Sequence, residues 1–182
     1  MSNPVLFESQ PQISTAPWEW ALMTSTLPSA FTVGSLYLAA FAQARSPHIG
    51  LIIPTSEKSG HLVHIRIDRD VSDNWVFQTR TEHITGNMFL TSLLKIHDVS
   101  AGEVTLDQLK MAAGEVAVPD NDRFGECGSW VFRVIEQLGK VGVLDLVDVQ
   151  ELRKEFNEFA AGNRNFARRE KFPNVDTSKW CM

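Results

Sequence analysis

Apolar and polar positions fall into two regimes along the chain. Between about residues 35 and 99 the apolar residues come in short runs broken by turn-forming residues, and after about residue 104 they recur every three or four positions. The first regime is that of strands and the second that of helices. "SLYLAAFAQ" (35–43), "HIGLIIP" (48–54), "HLVHIRID" (61–68), "WVFQTRTEH" (75–83) and "MFLTSLLKIHDV" (88–99) each suit a strand. The segments between them, "ARSP", "TSEKSG" and "RDVSDN", hold the Pro, Gly, Asn, Asp and Ser of tight turns, and short connections favour an antiparallel meander.

Helical spacing begins in "VTLDQLKMAAGEV" (104–116), where Leu106, Leu109 and Ala113 share a side. A second helix is predicted over Cys127–Gly139, with Val131, Val134, Ile135 and Leu138 in register, and a third over about Val147–Ala161 with Leu152, Phe156 and Phe159. Strands first and helices afterwards predict an α+β domain, an antiparallel sheet of about five strands followed by packed helices. Residues 1–17 read as an arm, "WEWALMTST" as a short helix, 18–162 as one domain and 163–182 as a C-terminal tail.

Composition narrows the class of partner. The 182 residues are 43% hydrophobic and 21% charged, the balance of an ordinary globular protein, and suffice for one hydrophobic core. A net charge of −5 argues against broad attraction to nucleic acid or anionic lipid, and Arg168, Arg169 and Lys171 are too few to reverse that. No apolar run reaches the roughly 20 residues that span a bilayer. The N-terminus lacks a signal-peptide pattern and residue 2 is Ser, so no myristoylation is expected; the cytosol is the expected compartment.

Two cysteines are too few for a disulfide framework. Cys181, one residue from the end and outside a prenylation motif, is expected to be mobile, which leaves Cys127 as the thiol of interest. "PDNDRFGE" (119–126) breaks one helix and the next opens at Cys127, so the thiol sits in a first turn, where the helix dipole favours thiolate and free N–H groups can meet an oxyanion. Against this stands a buried structural cysteine, since free thiols are among the most buried groups.

Two histidines are candidate partners. His48 opens its strand, and His64 lies mid-strand on a face shared with Leu62, Arg66 and Asp68, opposite Val63, Ile65 and Ile67. If the two strands pair, the rings can approach each other. His61 lies on the other face, and His83 and His97 sit at strand ends. Tyr37, the sole tyrosine, is a candidate oxyanion donor, and Trp130, three residues beyond Cys127, a candidate pocket wall; for both, core packing is the commoner role. Zinc on Cys127, His48 and His64 lacks any close ligand pair, and no metal or cofactor is expected.

The order of a His–x–Gly strand ("HIGLIIP"), a strand with another His ("GHLVHI") and a Cys-led helix ("ECGSWVF") resembles the circularly permuted papain-like proteins, including the lecithin–retinol acyltransferase group and its NlpC-type relatives. It is also similar to a group of small fungal proteins. The resemblance spans about residues 35–139. It implies Cys127 as nucleophile, His48 as base and His64 as its orienting partner, in acyl transfer from an amide, ester or thioester, most simply its hydrolysis, with a small-molecule or peptide substrate. In the acyltransferase group the cysteine follows Asn and precedes Glu-His, whereas here Glu126 precedes and Gly128-Ser129 follow. Two other readings stay open: a small-molecule biosynthetic enzyme of a secondary pathway in which His48 and His64 act as acid and base, and a non-catalytic binding module.

Overall fold

The computed structural model describes residues 31–168, 171 and 173–181; the arm, the short helix of "WEWALMTST" and the start of the domain at 18 lie outside the described residues. Five strands come first, β1 (Leu36–Phe41), β2 (His48–Pro54), β3 (Ser59–Ile67), β4 (Trp75–His83) and β5 (Leu90–His97). Three helices follow, α1 (Leu106–Gly114), α2 (Glu126–Lys140) and α3 (Val149–Gly162), and then β6 (Asn174–Thr177). The class is α+β. The strand order is β4-β3-β2-β1-β5-β6, with the first five antiparallel and β6 parallel to β5.

The sheet therefore has six strands and is mixed, where five antiparallel strands were expected. A parallel pair needs a long crossover, and the three helices between β5 and β6 provide it. The end of the chain is not a loose tail. Val175 sits opposite Leu93, Leu146 pairs with Cys181, the Ser178 hydroxyl donates to Glu155 at 2.6 Å, and Cys181 is buried. The short polar sequence "NVDT" carries no alternation by which to recognise a strand, so only its partner reveals it.

Strand alternation gives the sheet two apolar faces. Leu36, Leu38, Ala40, Ile49, Leu51, Ile53, Val63 and Ile65 face the helices and share a core with Cys127, Trp130, Val134, Leu138, Leu152 and Phe156. Tyr37, Ala39, Phe41, Ile52, Leu62 and Leu93 form a second cluster on the other face. Residues 84–89 must carry the chain from β4, at one edge, to β5 beyond β1. At about 3.4 Å per residue so short a link reaches only across a coiled sheet. Ile84, within that link, is fully buried in the second cluster, so the crossing covers the second face.

Local signals set the helix starts. Thr105 and Gln108 form a reciprocal capping box before α1, and the Asp148 carboxylate accepts from Gln150 and Glu151 N–H at the start of α3. The residue before α2 is Gly125 at φ +93°, a left-handed conformation that favours glycine, and no side chain caps that helix. None of the helices in the described residues is long and apolar enough to cross a membrane.

Candidate active site

His48 and His64 come together, as the pairing of their strands requires. Continued by one residue, the β2–β3 register places His64 beside Gly50, two positions from His48 on the same face. A Cβ on Gly50 would lie 3.2 Å from His64 Cβ and 2.7 Å from Leu62 Cδ1, so the missing side chain makes room for this ring. His48 Nε2 lies 2.7 Å from His64 Nδ1, and His64 Nε2 lies 3.0 Å from the Gln78 side-chain oxygen. Gln78 stands directly across from His64 in the β3–β4 register.

The chain of hydrogen bonds has one direction. The Gln78 oxygen can only accept, so His64 carries its proton on Nε2; His64 Nδ1 then accepts from His48 Nε2–H. The remaining nitrogen, His48 Nδ1, holds a lone pair. Among the described residues it makes no hydrogen bond and it is not one of the sealed, partnerless polar atoms, so it keeps access to solvent, and its ring lines a cavity together with that of His64. Burial is the main cause holding both imidazoles below their ordinary value, His48 at about 4 and His64 at about 3. The Arg80 and Arg66 guanidiniums add to both shifts, His48 depresses His64 further, and the Gln78 hydrogen bond opposes the shift of His64. Both rings are neutral at pH 7.

The cavity is about 420 Å³ and is bounded by Gln43, Arg66, Arg80, Trp75, Asp122 and Phe124 as well as the two histidines and Ile67. Its outer wall is the segment between α1 and α2, which is fastened to the β3–β4 hairpin. Trp75 N–H donates to Asn121 O at 3.1 Å, Trp75 Nε1 to Arg123 O at 3.0 Å, Asn74 to Asp120 at 2.5 Å and Arg69 to Asp122 at 3.1 Å. These bonds fix Asp122 and Phe124 over the cavity and set the start of α2.

Cys127 is not part of this cluster. Alternation in β2 turns Ile49 toward α2 and His48 away from it, so thiol and imidazoles lie on opposite faces of the sheet. Among the described residues no hydrogen bond joins Cys127 to either ring, and the thiol is 4% exposed. Burial pushes it above its ordinary value; backbone groups at Ile49, Gly128 and Cys127 itself pull it down, and the Glu126 carboxylate adds to the rise. Cys127 instead lines a separate opening of about 210 Å³ with Ser46, Gly128, Ser129, Arg153 and Asn157.

Neither expected substrate-binding residue lies at the cavity. Tyr37 is 1% exposed in the second cluster, and its hydroxyl oxygen accepts from Thr32 N–H at 2.7 Å. Trp130 is fully buried, with its Nε1 donating to Val116 O at 3.2 Å and its ring 5.9 Å from Phe77. Both are core residues because their polar ends find backbone partners inside the fold.

A protein-family model described as a family of unknown function, DUF6540, matches residues 36–145. The chain belongs to this family. No curated protein and no solved structure matches it. The DUF6540 match runs from β1 to just past α2 and takes in His48, His64, Gln78, Arg66, Arg80, Asp122 and Cys127. The Arg153 and Asn157 that border the thiol's opening stand in α3, beyond the matched span. Among the described residues no group of three or more His, Cys, Asp or Glu is placed to hold a metal ion.

Proposed function

We propose that this protein is an enzyme using acid–base chemistry on a small molecule bound in the 420 Å³ cavity, with His48 as the proton acceptor. The hydrogen-bonded chain His48–His64–Gln78, ending in a free His48 Nδ1 at the cavity, carries this reading. Gln78 fixes the tautomer of His64, and His64 fixes that of His48, so the lone pair is aimed at the substrate before the substrate arrives. When His48 Nδ1 takes a proton, the imidazolium donates Nε2–H to a neutral His64, and the same proton is returned to the product. No bond to the protein forms at any stage. Turnover of a substrate so processed is expected to fall by roughly 10²-fold or more in His48→Gln. It should survive in Cys127→Ser. Activity retained in His48→Gln would overturn the reading.

A second reading, cysteine-dependent acyl transfer with a permuted papain-like arrangement, is supported by one observation. Cys127 stands in the first turn of an uncapped helix, borders an opening of its own and lies beside Ile49, the residue next to His48. It requires His48 to cross to the helix side of β2. Rapid alkylation of Cys127 below pH 8.5, with loss of turnover in Cys127→Ser, would favour it over the first. The two unpaired thiols support placing either chemistry in a reducing compartment, the cytosol.

A further inference from the structure

We propose that the cavity takes a small aromatic carboxylate, its carboxylate held by Arg66 and Arg80 and its ring set between Trp75 and Phe124. The inference rests on the reading of this cavity as the site of His48 chemistry and names what it acts on. Arg66 lies on β3 two residues beyond His64, and Arg80 on β4 two residues beyond Gln78, so both guanidiniums flank the imidazole pair. Among the described residues each has a single carboxylate partner, Asp68 at 3.3 Å for Arg66 and Glu82 at 2.5 Å for Arg80. A guanidinium has five donors in a rigid fork, and one carboxylate partner leaves further N–H groups for a second. Asp122, the acidic group on the wall, is held by Arg69 at 3.1 Å.

The charge balance sets the ligand's charge. Arg66 and Arg80 each already share a carboxylate and Asp122 is held by Arg69, so the formal charges around the cavity balance, and a monoanionic carboxylate seated on the spare guanidinium N–H groups is accommodated better than a phosphate dianion. Neither Asp68 nor Glu82 reaches the lining, so the rings face the cationic side of each pair. Both arginines depress the imidazoles, which is the signature of a positive local field. An anion seated there relieves that field and restores basicity to His48 at the moment it is needed.

The walls set the ligand's body. Trp75, packed on the helix-side core, and Phe124, 53% exposed with the Arg45 guanidinium 5.6 Å from its ring, both line the cavity, and its volume falls in the range of small-molecule sites. A single aromatic ring fits these walls. A polymer does not.

Equilibrium binding of benzoate to the full chain tests this, with benzamide and inorganic phosphate as controls. Benzoate should bind with a Kd of about a millimolar or tighter, and benzamide and phosphate about tenfold more weakly or not at all. Arg66→Met and Arg80→Met should each weaken benzoate about tenfold while the circular dichroism and the urea midpoint stay close to wild type, since both side chains are more than one-third exposed. His48→Gln should retain benzoate binding within a few fold. Equal binding of benzoate and benzamide, preference for phosphate, no benzoate binding at about 10 mM, or unchanged affinity in both arginine variants would overturn the proposal. Benzoate binding as expected, alongside turnover unaffected by His48→Gln, would instead leave this inference standing and remove the acid–base reading.

Discussion

A tyrosine on a strand looks like a site residue until its hydroxyl has a partner. Tyr37 is buried to 1% exposure and its oxygen accepts from Thr32 N–H, a bond that closes the turn leading into β1. Tyr37→Phe keeps the ring and orphans that donor, so a loss of about 1–2 kcal/mol in urea unfolding is expected, with benzoate affinity unchanged. A change in ligand affinity without a change in stability would return Tyr37 to the site. Gly50 shows the converse. Its lack of a Cβ leaves space for His64, and Gly50→Ala must push on His64 Cβ at 3.2 Å and Leu62 Cδ1 at 2.7 Å. The Leu62 methyl can swing aside; the ring's own Cβ cannot without moving β3. Altered histidine side-chain resonances with stability reduced by only about 1 kcal/mol are therefore expected. Spectra that overlay on wild type would show that this close approach does not hold the pair in place.

At the scale of elements, alternation and turn residues located β2 and β4 to the residue, and β1, β3 and β5 to within two residues at either end. The helix periods did as well for α1, α2 and α3. What alternation could not say was which face of the sheet the helices cover, because both faces are apolar. His48 and Ile49 are neighbours, and one step along β2 decides whether the imidazole or the aliphatic chain meets Cys127. The partner of His64 was closer to legibility. A β3–β4 hairpin turning at "RDVSDN" pairs residues whose numbers sum to 142, and that register sets Gln78 against His64. β6 was hidden, since four polar residues acquire strand geometry only from the edge of β5. Removal of residues 174–182 tests its contribution. It strips the β5 edge and the hydrogen bonds Ser178 N–H to Lys95 O and Val147 N–H to Trp180 O. At about 1 kcal/mol per lost bond plus exposed apolar surface, a destabilisation on the order of 3 kcal/mol is expected, read as a lowered urea midpoint. An unchanged midpoint would mean that this segment behaves as a tail after all.

For the molecule as a whole, the histidine pair turns a local arrangement into a dependence of folding on pH. Both rings titrate near 6.5 when the chain is unfolded and far lower when folded, His48 at about 4 and His64 at about 3. Between those values the unfolded chain binds more protons than the native one, so native stability is complete above pH 6.5 and falls as pH drops through the window toward 4. The loss by pH 5 is roughly 2 kcal/mol per ring. Asp98, held low by Lys95 and Ser100, gives up its contribution only as pH falls below the ordinary value of 3.8 that it has in the unfolded chain, and so leaves this window to the histidines. The urea midpoint of the wild type is thus expected to decline steeply from pH 6.5 to 4.5. His64→Gln should decline about half as steeply, because it removes one of the two rings that must stay neutral. Benzoate should flatten the wild-type curve further, since an anion beside Arg66 and Arg80 lets the folded state accept the proton that burial otherwise refuses. Parallel curves for wild type and His64→Gln would mean that the protons taken up on acid unfolding belong to other groups, and that the pair is not held neutral by the fold.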